Sequence, residues 1–127
     1  MADTRTVLLV DDEPDVVLII RGRLTTWGYQ VVTATNGQEA LDAVNQHPLD
    51  LILLDLKMPL MDGPEVCRRL KADPRFSKIP VILITSNSQK AATEELSVIR
   101  ADDCVIKPFE SKELLVKIEK WISKPTG

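Results

Sequence analysis

The fold turns on one stretch, Leu49-Asp50-Leu51-Ile52-Leu53-Leu54-Asp55-Leu56-Lys57-Met58-Pro59. From 49 to 54 only Asp50 interrupts an apolar run, and a carboxylate closes it. A short, nearly continuous apolar run predicts a strand buried on both faces, as in a parallel sheet. Four more runs flank it, at 7–10, 29–34, 81–84 and 104–106. All but one are as continuous as the first. Tyr29-Gln30-Val31-Val32-Thr33 alternates, which suits a strand at a sheet edge.

Helical patterns fill the gaps. Pro14 suits the first turn of a helix that Gly28 closes. Asn36 is placed to N-cap a second helix, with Glu39 at the capping-box position. Pro64, after Gly63, starts a third helix from 65 to about 72. A fourth runs from about 89 to 100. Ser111 is placed to cap a fifth, in which Leu114, Leu115, Ile118 and Ile122 recur on one face. Strand and helix thus alternate five times. That order predicts parallel strands, right-handed crossovers and an α/β fold with helices on both faces of the sheet.

The 127 residues suit a single domain, 1–127. A chain of this size buries about two-thirds of its unfolded surface, so it needs no disulfide staple. An apolar content of 44%, with 28% charged residues and a net charge of −3, fits a soluble globular protein without a nucleic-acid footprint. The basic cluster Arg68, Arg69 and Lys71 reads as a solvated helix face. Cys67 and Cys104 form no CxxC and no zinc spacing. The only histidine, His47, precedes Pro48 and reads as a loop residue, which argues against histidine-based catalysis. Neither a signal-peptide pattern nor an apolar run of about 20 residues is present. These features point to a cytoplasmic protein without membrane contact.

In an open parallel sheet, ligands bind beyond the carboxyl ends of the strands. The residues that follow the runs are therefore the candidates. Asp11 and Asp12 follow the first, Asp55 the third, Thr85 the fourth and Lys107 the fifth. Thr35 and Asn36, after the second, read as loop and cap residues. Each candidate alone has an ordinary reading: helix cap, strand-end hydroxyl or surface lysine. Together, with the first, third, fourth and fifth strands adjacent, they form one cluster. Neighbouring carboxylates repel unless a cation holds them. Hard oxygen ligands in small number suit Mg²⁺ completed by water and phosphate oxygens. One carboxylate can then act as nucleophile toward phosphorus. A lysine and a threonine can cancel charge on the transferring oxygens.

With these residues in place, the chain resembles the receiver domain of two-component response regulators, over about 6–124. Val10-Asp11-Asp12-Glu13-Pro14 is similar to the family's acidic pair. Leu53-Leu54-Asp55-Leu56-Lys57-Met58-Pro59 with Met61-Asp62-Gly63 is similar to its phosphoacceptor segment. Ile82-Leu83-Ile84-Thr85-Ser86 is similar to its switch threonine, and Val105-Ile106-Lys107-Pro108-Phe109 to its lysine–proline pair. The resemblance implies a flavodoxin-like (βα)5 fold, a doubly wound five-stranded parallel sheet of order 2-1-3-4-5.

It also implies roles. Asp55 would be phosphoacceptor and metal ligand. Asp12 would bind Mg²⁺ directly, Asp11 mainly through water, and Lys57 through its backbone carbonyl. Thr85, the Ser86 N–H and Lys107 would bind the phosphoryl oxygens. Lys107-Pro108 would be a cis peptide. The Lys57 and Asn87 side chains would tune dephosphorylation. The donor would be a sensor histidine kinase or histidine phosphotransfer protein. The output would be a partner, an output domain or a second copy, met through the predicted fourth helix, fifth strand and fifth helix. The domain would catalyse only its own phosphorylation and dephosphorylation. Two places depart from the family. Cys104 stands where a switch aromatic is usual, and Arg100-Ala101-Asp102 replaces Gly-Ala-Asp.

Three other readings share parts of this pattern. A binding module that no longer takes phosphate would fit Cys104 and Arg100, but not the complete acidic cluster. A Mg²⁺-dependent phosphatase with an aspartyl nucleophile would want an acid where Lys57 stands. A flavodoxin-like cofactor protein would want a glycine- and hydroxyl-rich phosphate loop after the first strand, where Asp11 and Asp12 stand.

Overall fold

Alternation of side chains along each strand divides the core into two layers. The computed structural model describes residues 4–55, 63–85 and 101–122. These contain β1 (Thr6–Val10), α1 (Pro14–Thr26), β2 (Gln30–Ala34), α2 (Gly37–Gln46), β3 (Leu51–Asp55), α3 (Gly63–Ala72), β4 (Val81–Thr85), β5 (Asp103–Ile106) and α4 (Ser111–Trp121). The helix expected over about 89–100 lies outside the described residues; α4 is the one expected after Ser111. Leu8, Val10, Ile52, Leu54, Val81 and Leu83 pack with α2 and α3 residues such as Val44, Val66 and Leu70. Val7, Leu9, Leu51, Leu53, Ile82, Ile84 and Val105 pack with Ile20 and Leu24 of α1 and Leu114 and Ile118 of α4. Successive strand residues feed opposite layers, which is why these strands read as unbroken apolar runs.

The five strands are parallel in the order β2-β1-β3-β4-β5. The alternating strand β2 is an edge, as its pattern predicts. The other edge is β5, where only Val105 is buried. Its apolar run therefore does not mark burial on both faces. The polar interruption at Asp50 falls just outside β3 and works as a tether. Its carboxylate accepts from the Thr6 N–H at 2.8 Å, and its own N–H donates to the Thr6 carbonyl at 2.8 Å.

Helix punctuation mostly follows expectation. Pro14 opens α1. Gly28, at φ 95°, closes it with Gly28 N–H to Thr25 O and Tyr29 N–H to Leu24 O, both 3.0 Å. This left-handed closing turn favours glycine. Asn36 caps α2 by accepting from the Glu39 N–H at 2.9 Å. Glu39, however, reaches one residue further back than a capping box requires and accepts from both the N–H and hydroxyl of Thr35. Those bonds hold its carboxyl below the usual range. Ser111 lies inside α4 rather than capping it; Glu110 takes the N-cap place without a side-chain bond.

One surface assignment changes. Arg68 and Arg69 are exposed and pair with Glu65 within α3. Lys71 is not a solvated residue: its side chain is 11% exposed. Its ammonium donates to Ser77 O at 3.1 Å, Ile79 O at 2.9 Å and Asp102 Oδ2 at 2.9 Å. Asp102 also accepts from the Val81 N–H at 2.8 Å. Together they fasten the end of α3 to the starts of β4 and β5. A single lysine in a basic stretch carries no sign of this in the sequence.

At the β5 edge, Asp103 performs a similar task for α4. It accepts from Trp121 Nε1 at 2.7 Å, the Cys104 N–H at 2.8 Å and Lys117 Nζ at 3.1 Å. Partial burial alone would raise its carboxyl; the bonds from Trp121, Cys104 and Lys117 outweigh burial and hold it below the usual value. A carboxyl that titrates lower when folded stabilises the fold above its unfolded value, about pH 3.9. That contribution is lost as pH falls through the folded value. Asp103→Asn is expected to lower stability by about 1–2 kcal/mol at pH 7. The deficit should close as pH drops below about 4, measured by thermal unfolding across a pH series.

Candidate functional site at the carboxyl edge of the sheet

Strand register assembles the site. Val10 pairs with Leu54, which sets Asp11 level with Asp55. Asp55 pairs with Ile84 and Thr85 with Ile106, so the next residues, Thr85 and Lys107, follow in step. The ladder continues past β5: the Lys107 N–H donates to the Thr85 carbonyl at 2.6 Å. The Lys107-Pro108 bond is cis, as expected. The strand order reverses between β1 and β3, which places Asp11 and Asp55 at the switch point where α/β sheets bind ligands.

Burial singles out the same residues. Asp11, Asp55 and Thr85 are the buried polar residues among those described. Asp12 is exposed at the rim. Lys107, 22% exposed, holds its Nζ 3.6 Å from Asp11 Oδ2, 3.8 Å from Glu13 Oε1 and 4.0 Å from Asp55 Oδ1. Asp11 Oδ1 accepts from the Glu13 N–H at 2.9 Å. Asp11 Oδ2 is buried and, among the described residues, accepts no hydrogen bond. A buried carboxylate oxygen without a donor is costly unless a cation contacts it. Ligand atoms of Asp11, Asp12, Glu13 and Asp55 lie within 4.8 Å of one another. This set of hard oxygen donors around a donor-less buried oxygen fits Mg²⁺.

The expected residues Asp11, Asp12, Asp55, Thr85 and Lys107 thus meet at one edge. Lys57, Ser86 and Asn87 lie outside the described residues. Glu13 joins the cluster without having been singled out; its signal was adjacency to the acidic pair just before Pro14. Cys104 is half-buried on β5, opposite Leu83. Cys67 is buried, and burial pushes its thiol up to about 11, so it stays protonated at neutral pH. His47 is exposed at the end of α2, away from the cluster. Among the described residues, no helix is long and apolar enough to cross a membrane.

The fold and site define a flavodoxin-like α/β domain with an acidic, metal-suited centre at its switch point. Comparison with known proteins carries this further. The sequence profile of the response regulator receiver domain matches residues 7–119. The protein named "Probable transcriptional regulator ycf27" in Cyanidium caldarium is 42% identical over 93% of this chain and 46% of its own length. The transcriptional regulatory protein KdpE of Mycobacterium tuberculosis is 36% identical over 95% of this chain and 52% of its own. The chain therefore spans about half the length of these relatives. Among solved structures, the signal receiver domain of a signal transduction histidine kinase from Syntrophus aciditrophicus superposes with a TM-score of 0.89 at 32% identity, covering 98% of this chain and 96% of that one. The receiver domain of a Pseudomonas aeruginosa sensor histidine kinase, with magnesium coordinated in its active site cleft, gives 0.87 at 28% identity, covering 95% and 99%. The chain belongs to the response regulator receiver domain family, the receiver class of two-component signalling.

The donor-less oxygen of Asp11 generates a prediction. Asp11→Asn should weaken Mg²⁺ binding about tenfold or more, because the site loses a buried charge. Calorimetric titration checks this; an unchanged affinity in a natively folded variant contradicts the assignment.

Proposed function

We propose that the chain is a phosphorylatable switch whose phosphoacceptor is Asp55. The observation that carries this reading is the convergence of a buried carboxylate at the end of β3 with the Asp11 carboxylate and the Lys107 ammonium. An Asp55 oxygen attacks the phosphorus of a phosphohistidine donor. The new P–O bond forms as the P–N bond breaks, and the ring nitrogen that carried phosphorus leaves with the bonding pair, the other ring nitrogen carrying a proton so that neutral imidazole departs. Asp55 and Asp12 would hold the metal directly and Asp11 mainly through water, with the Lys57 carbonyl completing the set. Mg²⁺ held there would neutralise charge on the transferring oxygens. Lys107 takes a second oxygen through its ammonium. The Thr85 hydroxyl and Ser86 N–H take a third. The Lys57 and Asn87 side chains tune hydrolysis by controlling the path of the attacking water. The chain catalyses nothing beyond gain and loss of its own phosphoryl group.

The donor is a sensor histidine kinase or a histidine phosphotransfer protein. Phosphorylation biases two packings of the sheet edge and so alters an interface. Relatives named as transcriptional regulators support an output region of that kind, in the same polypeptide or a partner. The face built from residues about 89–100, β5 and α4 carries the signal to that region or to a second copy. With Cys104 in place of an aromatic ring, coupling along this face rests on Thr85 and backbone shifts rather than on a swinging side chain.

Incubation with Mg²⁺ and acetyl phosphate should give a single hydroxylamine-sensitive phosphoryl adduct by intact mass. Asp55→Asn, or chelation of the metal, should abolish it. An adduct that survives in Asp55→Asn overturns the assignment.

A further inference from the structure

Lys107 faces three carboxyl groups, and the reading above uses two of them. The third is Glu13. None of the three, at 3.6, 3.8 and 4.0 Å, stands at hydrogen-bond distance from Nζ. The ammonium hangs between them. Asp11 and Asp55 are buried at strand ends, so the sheet fixes their positions. The Glu13 side chain is 63% exposed and lies at the rim. Its backbone is nevertheless firmly placed. The N–H donates to Asp11 Oδ1 at 2.9 Å, the carbonyl accepts from the Val17 N–H at 3.0 Å, and Pro14 follows. A residue before proline is restricted to extended backbone, and Glu13 has φ −94° and ψ 111°.

Glu13 also occupies the N-cap place of α1, where short side chains such as aspartate turn back to the first N–H groups. It makes no such bond. The arm instead reaches across the mouth of the site to Lys107. Its carboxyl belongs to the same acidic cluster as Asp11 and Asp55 and is the exposed one of the three that share the ammonium. A phosphoryl group on Asp55 needs the same ammonium. Glu13 and the arriving group therefore compete for one cation.

We infer that Glu13 is a positioning residue that takes a share of the Lys107 ammonium and thereby slows phosphorylation of Asp55. This rests on Asp55 being the phosphoacceptor. The role requires both charge and reach, which two substitutions separate. Glu13→Gln keeps the length and removes the charge. Glu13→Asp keeps the charge and falls one methylene short of Lys107. An exposed ion pair is worth little, so the effect is bounded at roughly two- to fivefold.

The test follows the time course of adduct formation with acetyl phosphate at saturating Mg²⁺ by intact mass. Both variants are expected to be phosphorylated about two- to fivefold faster than the wild type. The ε-methylene resonances of Lys107 should shift in both, with backbone amides remote from the site unmoved. If Glu13→Gln is faster while Glu13→Asp matches the wild type, Glu13 merely repels the anionic donor and the inference is overturned. Wild-type or slower rates in both variants overturn it as well, while an adduct on the wild type leaves the phosphoacceptor reading standing. No adduct on the wild type removes that reading and this inference together.

Discussion

Two buried carboxyl groups at the ends of neighbouring parallel strands are the constraint on which the site depends. Asp11 and Asp55 are brought level by the pairing of Val10 with Leu54, and the packed core beneath leaves them little room to part. Burial of like-charged groups at close quarters is unfavourable unless cations answer them. Lys107 offers one ammonium, shared three ways and bonded to none at short range. Asp11 Oδ2 has no donor among the described residues. The arrangement therefore suits a hard cation, which would answer the charge that one ammonium leaves.

The rest of the fold serves that edge. Parallel pairing gives every strand the same polarity, so all carboxyl ends meet on one side. The ladder extension from Thr85 to Lys107 aims the lysine from the outer strand back over the centre. At the opposite end of the sheet, the Asp50–Thr6 bonds and the Lys71–Asp102 link pin strand starts and helix ends. These fixed points leave the carboxyl edge as the place where a new charge can alter packing. Interior packing near native density transmits such a change as a choice between arrangements rather than as a gradual strain.

Much of this was legible in the sequence. The unbroken apolar runs marked buried parallel strands, and the residues after the first, third, fourth and fifth runs marked the site. The alternation of β2 marked an edge. The second edge, β5, followed from the resemblance and not from its own pattern, because a four-residue strand with Cys104, Val105 and Ile106 looks as apolar as a central one. Lys71 and Asp102 were hidden for a different reason: their partners are backbone carbonyls and an N–H brought close by tertiary folding, which no local pattern encodes. Glu13 was visible as an acidic neighbour, but its reach to Lys107 depends on how α1 leaves β1. Ser111 misled, since a cap-forming residue type stood one place inside the helix it was expected to cap.

The central claim is that the carboxyl edge is completed by a cation and then by a phosphoryl group on Asp55. The most direct measurement is thermal unfolding of the wild type and Asp55→Ala in chelator, in Mg²⁺, and in Mg²⁺ with beryllofluoride, a phosphoryl mimic. Ligands that bind only the folded state stabilise it by mass action, about 2.7 kcal/mol at a hundredfold excess over Kd. The account predicts a stepwise rise of the wild-type midpoint from chelator to Mg²⁺ to the mimic, with the last step absent in Asp55→Ala. A wild-type midpoint that is the same in all three conditions would contradict it.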